Sequence, residues 1–89
     1  SAIADILKDY PNRDLLITGH TALAGTEAGR QLLSEQRARA VADFLLSQGV
    51  KEEQEMVIRG MAAREPVADN STEQGRRRNR RVEITILEN

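Results

Sequence analysis

Arg37 stands three residues after Ser34 and two after Glu35, at the start of a helical pattern. Ala38, Val41 and Leu45 recur with helical spacing up to Gln48, Phe44 lies beside them, and Ser34 reads as the N-cap. A helix dipole favours acids at its start by roughly 0.3–1 kcal/mol per charge. Glu35 obeys that rule, whereas a guanidinium at the same end needs an anion in front of it. The residues alone leave two readings, an anionic ligand group at that end or a surface arginine paired with Asp43, Glu35 or the nearby loop.

Other reactive side chains point less far. His20 is the single histidine, with no cysteine in the chain and no serine placed beside it as a nucleophile, so it is expected to shape its loop. Neither a catalytic group, a metal site nor a cofactor is expected. Asp5, Asp9, Asp14 and the Glu52-Glu53-Glu55 run read as solvated faces. Arg76, Arg77, Arg78, Arg80 and Arg81 gather five of the eleven arginines within six residues, a cluster that could meet phosphates. No aromatic is interleaved, and acids bring the formal charge to −1, so nucleic acid is not the expected partner.

Apolar periodicity places the elements. Ile3, Ile6, Leu7 and Tyr10 fall on one helical face, which Pro11 ends. Leu15 to Thr18, closing at Gly19, reads as a strand. Residues 20–33 read as a loop with a helical turn near Thr26–Arg30, and the main helix runs from Ser34 to Gln48 with Gly49 as its stop. Met56 to Arg59 is a second strand, residues 61–79 a long polar connection, and Val82, Ile84 and Ile86 alternate with polar neighbours as a third strand. A crossover helix makes the first two strands parallel. An antiparallel third strand would then bring Arg80 and Arg81 beside Thr21 and Gly60, so that three distant segments meet at one rim, where ligands of such sheets commonly bind.

Eighty-nine residues make one domain, 1–89, with a modest aliphatic core, since Tyr10 and Phe44 are its sole aromatics. No apolar run reaches the roughly 20 residues that span a bilayer. The helical opening leads us to expect a domain of a longer, exported protein.

In order and spacing, Gly19-His20-Thr21, Leu33-Ser34, Arg37-Ala38 and Asn79-Arg80-Arg81-Val82-Glu83, with Gly60, Pro66, Asn70, Thr72, Gly75 and Arg76 between them, resemble the OmpA-like domain family. The likeness runs from about Ile3 to Ile86. It implies an α+β fold, a two-layer α/β sandwich in which a mixed sheet is backed by helices. Of the family's β-α-β-α-β-β order, α-β-α-β-β is visible here. It also implies a non-enzymatic domain of the bacterial cell envelope, on the periplasmic face and with an outer membrane-associated parent protein. Such a domain holds peptidoglycan stem peptides through their diaminopimelate and so anchors membrane to wall. The membrane would be reached only through other parts of the parent. The resemblance places ligand contacts at Thr21, Ala22, Arg30, Arg37, Arg80 and Arg81, with Arg37 clamping a carboxylate.

The sequence departs from the family at three points. The acid expected after Gly-His-Thr is Ala22, which removes the partner of the ligand's ammonium, and Arg30 replaces a pocket-lining asparagine. Losing one member of a buried charge pair costs about 2–5 kcal/mol, a weakening of roughly 30-fold to several thousand-fold. Binding is therefore expected to be weakened or lost, and the competing reading is a degenerate structural or protein-interaction domain. The family's upstream strand is also not visible, which predicts an open sheet edge that pairs with another chain or domain.

Overall fold

The computed structural model describes residues 2–88. Its elements run α1 (Ala2–Leu7), β1 (Leu15–Gly19), α2 (Glu27–Ser47), β2 (Met56–Gly60), α3 (Glu73–Asn79) and β3 (Val82–Ile86), with a 3-10 turn at Glu53–Glu55 before β2. The sheet order is β2-β1-β3. β1 pairs parallel with β2, Gly19 opposite Gly60, and antiparallel with β3, Gly19 opposite Val82. This is the expected mixed sheet. The ends of β1 and β2 and the start of β3 lie at one rim.

The sheet is covered on one side. Leu15 and Ile17 of β1 are fully buried with Ala38, Ala42 and Leu45 of α2, and Leu7 and Met56 complete the cluster. Polar residues such as Arg59, Glu83 and Thr85 project to the open side. α2 lies very close to β1: a Cβ at Gly19 would come within 1.9 Å of the Ser34 carbonyl oxygen. Any larger residue at position 19 would push the helix off the sheet.

Two expectations fail, for one reason. α2 begins at Glu27, not at Ser34, with Thr26 as N-cap accepting a hydrogen bond from the Gly29 N–H at 3.0 Å. Ser34 lies mid-helix and is fully buried. Its hydroxyl donates to the Gln31 carbonyl at 2.9 Å and accepts from the Ala62 N–H at 3.0 Å. Arg37 therefore sits ten residues past the helix start, about 15 Å along the axis. The dipole argument does not apply to it. Likewise, residues 61–79 end in α3, capped by Thr72, whose hydroxyl accepts from the Gly75 N–H at 2.9 Å. Both missed stretches are polar and carry no apolar stripe. Caps and helix-favouring residues form them, and periodicity cannot see those.

α1 is shorter than its pattern. Leu7 and Ala4 are buried, but Ile3 and Ile6 stay more than half exposed. With Leu7, Val82, Ile84 and Ile86 they line an apolar hollow of about 230 Å³ beside β3. Among the described residues no strand pairs with the outer edge of β3.

Candidate functional site

The loop after β1 is held from three directions. The His20 N–H donates to the Arg81 carbonyl at 2.8 Å, the Thr21 N–H to the Ala62 carbonyl at 2.9 Å, and the Leu23 N–H to Asn70 Oδ1 at 3.2 Å. These bonds draw on the start of β3, the segment after β2 and the approach to α3. The convergence expected from topology is thus made by two backbone contacts and one side-chain contact, from Asn70.

Arg37 completes the rim. Its Nη1 donates to the His20 carbonyl at 2.9 Å, so the helix and the loop share a wall. Thr26, Arg30, Leu33 and Arg37 recur along one face of α2 and, with Thr21, Ala22 and Arg80, line a cavity of about 170 Å³. Five of the six expected residues therefore surround one space. Arg81 does not. Its guanidinium bonds Glu83 at 2.6 Å, the Glu65 carbonyl at 2.8 Å and the Asn79 carbonyl at 3.3 Å, which makes it a brace between β3 and the segment after β2.

The charges around the cavity are unequal. Arg80 pairs with Glu73, which also takes Arg76. Arg80 first and then Arg76 hold the Glu73 carboxyl below its ordinary range. Arg30 and Arg37 meet no carboxylate among the described residues; Arg30 Nη1 donates to the Gly25 carbonyl at 2.7 Å and the Ala24 carbonyl at 3.3 Å. Ala22 and Thr21 are about 95% buried, and position 22 offers only a methyl group. The Thr21 hydroxyl and Arg30 Nε are buried without a partner.

A larger groove of about 640 Å³ runs between α2 and β2. Two arginines line it, Arg39 and Arg59, and Arg39 is already matched by Asp43 at 2.8 Å and by both oxygens of Glu53 at 2.8 and 3.0 Å. An anion at Arg39 would have to displace those counter-ions, as one at Arg80 in the smaller cavity would have to displace Glu73, whereas Arg30 and Arg37 there meet no carboxylate among the described residues.

His20 is buried, with Nε2 3.0 Å from Thr18 Oγ1. Burial, and then the Arg81 charge, push its pKa down, while Glu83 and Glu65 oppose them. Its side chain reaches back to β1, with Nδ1 buried and unpartnered, and the loop contacts at this residue are made by its backbone. No group of three or more metal-ligating side chains occurs among the described residues.

Asn79 escaped the sequence reading as a site residue. Fully buried, it accepts from the Val67 and Ala68 N–H groups at 2.8 and 3.0 Å and donates to the Ala68 carbonyl and Asn70 Oδ1. Asn70 in turn holds Leu23, so Asn79 positions the cavity's loop from a distance. Its place in Asn79-Arg80-Arg81 was the available signal.

The fold and the cavity together define a small α+β binding domain with a cationic recess at its sheet rim. Residues 1–80 match the family model described as the OmpA family. The chain belongs to the OmpA family. It is 43% identical over 84 residues to outer membrane porin F of Pseudomonas aeruginosa, a match covering 94% of this chain and 24% of the porin. It is 40% identical over 84 residues to the peptidoglycan-binding protein ArfA of Mycobacterium tuberculosis, covering 94% of this chain and 26% of that protein. The peptidoglycan-associated lipoprotein from Burkholderia pseudomallei has the same fold, with a TM-score of 0.87 and 31% identity over 97% of this chain and 72% of that one. The chain thus spans about a quarter of the length of these two curated relatives. Their names are those of structural and binding proteins, and the domain is not an enzyme.

Proposed function

We propose that this domain binds peptidoglycan non-covalently through the stem peptide and anchors a longer envelope protein to the wall from the periplasmic face. The carrying observation is the cavity in which the guanidinium of Arg37 meets the Gly19–Ala22 loop, in a chain of a family whose relatives include a peptidoglycan-binding protein. Arg37 serves as the carboxylate clamp, through a charge-assisted, two-pronged bond. Arg30, Arg80 and Thr21 form the remaining wall. Ala22 leaves a ligand ammonium unmatched, so affinity is weakened.

Sedimentation with purified sacculi tests this. The chain is expected to co-sediment weakly, Arg37→Ala to lose retention, and Ala22→Asp to gain roughly tenfold or more in affinity. Equal retention of all three would refute the pocket assignment.

One observation favours a second reading, a degenerate domain with an interaction role. The Arg30 and Arg37 side chains already rest on carbonyls of their own loop. On that reading none of the three chains would sediment. The open edge of β3 with its apolar hollow supports a further element of the proposal, strand pairing with another domain or chain, which amide exchange along β3 tests.

A further inference from the structure

We infer that the cavity beside Arg37 recognises a carboxylate and disfavours an ammonium, so that an amine-acylated diamino acid is held at least as well as a free one. This rests on the proposed function and narrows its ligand. The argument is the charge on the walls. Arg30 and Arg37 both line the space, and their partners are neutral carbonyls of Ala24, Gly25 and His20. Arg80 brings Glu73 with it as counter-ion. Glu27, close in sequence, lines an adjoining hollow with Leu23, Arg30, Ala62 and Arg64 instead. Position 22 offers a methyl group.

An ammonium entering this space meets two guanidiniums without counter-ions and no carboxylate that is unpaired. A carboxylate meets the same two cations and the N-terminal turn of α2 at Thr26 and Gly29, where the helix carries its positive end. Thr21 and Arg30 both line the space, and the Thr21 hydroxyl and Arg30 Nε are buried without a hydrogen-bond partner. Acylating the ligand's amines removes the positive charge that these walls repel and leaves a neutral amide. Every feature favours the carboxylate, and none favours the amine.

The test is an NMR titration of the 89-residue chain, following the backbone amides of Thr21, Ala22, Gly29 and Arg37. The probes are diaminopimelate, its N,N′-diacetyl derivative and pimelate. The two amine-free probes should bind at least as tightly as free diaminopimelate. In Ala22→Asp the order should invert, with free diaminopimelate gaining about tenfold or more and the others gaining nothing.

A preference of about tenfold or more for the free amine in the unchanged chain overturns the inference and leaves wall binding standing. An Ala22→Asp chain that folds and keeps the original order also overturns it. So does retention on sacculi without a response to any probe, because the wall contact then lies outside this cavity. Loss of both sacculus retention and probe response overturns the inference and the proposed function together.

Discussion

His20 and Ala62 show how single residues hold the rim in shape. Ala62 adopts φ +50°, a left-handed conformation that a Cβ disfavours by roughly 1–2 kcal/mol. Two hydrogen bonds hold it there, its N–H to Ser34 Oγ and its carbonyl to the Thr21 N–H. His20 contributes through its uncharged form. Its pKa lies below the ordinary value of about 6.5. Between the two values the unfolded chain binds more protons than the folded one, so the neutral imidazole's contribution is complete above about pH 6.5 and fades as pH falls. The carboxyls of Glu73 and Glu83, held low chiefly by Arg80 and Arg81 respectively, also weaken the fold as acid is added. The histidine is isolated by difference. Urea unfolding at pH 7.5 and 5.5 should show a smaller loss on acidification for His20→Gln than for the unchanged chain. Equal losses would remove His20 from the account.

Between the residue and the whole lie the segments that carry the cavity. The 61–79 connection has little apolar content, and its order comes from polar contacts around Asn79 and from one close approach. A Cβ at Gly75 would fall 1.7 Å from the Asp69 carbonyl oxygen, so α3 can pack there only with glycine. Asn79 satisfies two backbone N–H groups and one carbonyl at once. Its replacement leaves these groups unpaired, at about 1–3 kcal/mol for each one that stays buried. Asn79→Ala is therefore expected to lower the unfolding free energy by about 2–4 kcal/mol, with the partners partly recovered by water. It should also speed hydrogen exchange at the Leu23 amide, which Asn70 holds. A loss of stability without faster exchange at Leu23 would confine Asn79 to its own segment and break the link to the cavity.

Across the whole molecule, the two sheet edges differ in what lies beside them. β2 runs alongside α2, and the Gly60 carbonyl at its end accepts from Gln31 and Arg64. The β3 edge adjoins the hollow of Ile3, Ile6 and Ile84, with more than half of Ile3 and Ile6 exposed. Unpaired backbone next to apolar side chains is a template for another strand. If a strand outside residues 1–89 occupies it, the outward amides of β3 should exchange rapidly in the isolated chain and slowly in the parent protein. Equal exchange in both would exclude that pairing. Arginines of the 76–81 cluster answer to the same whole-molecule balance: Arg76 and Arg80 share Glu73, and Arg81 holds Glu83. The cluster is largely a brace.

Apolar spacing alone was enough to place α1, the three strands and the second half of α2, because burying one face imposes a period that survives in the order of residues. The parallel pair followed from the crossover, whereas the direction of the third strand, on which the meeting of His20, Gly60 and Arg81 at one rim depends, was decided by the tertiary structure. The Thr26 and Thr72 caps lay outside that logic. The stretches they open are polar, and each cap acts through one hydrogen bond to the glycine three residues on. The cavity itself depended on three-dimensional packing. Arg80 and Arg81 are adjacent and chemically identical, yet one lines the recess and the other is tied to Glu83 and the Glu65 carbonyl. Which carbonyl or carboxylate lies within reach of a guanidinium is set by how distant segments pack, and no local pattern encodes it.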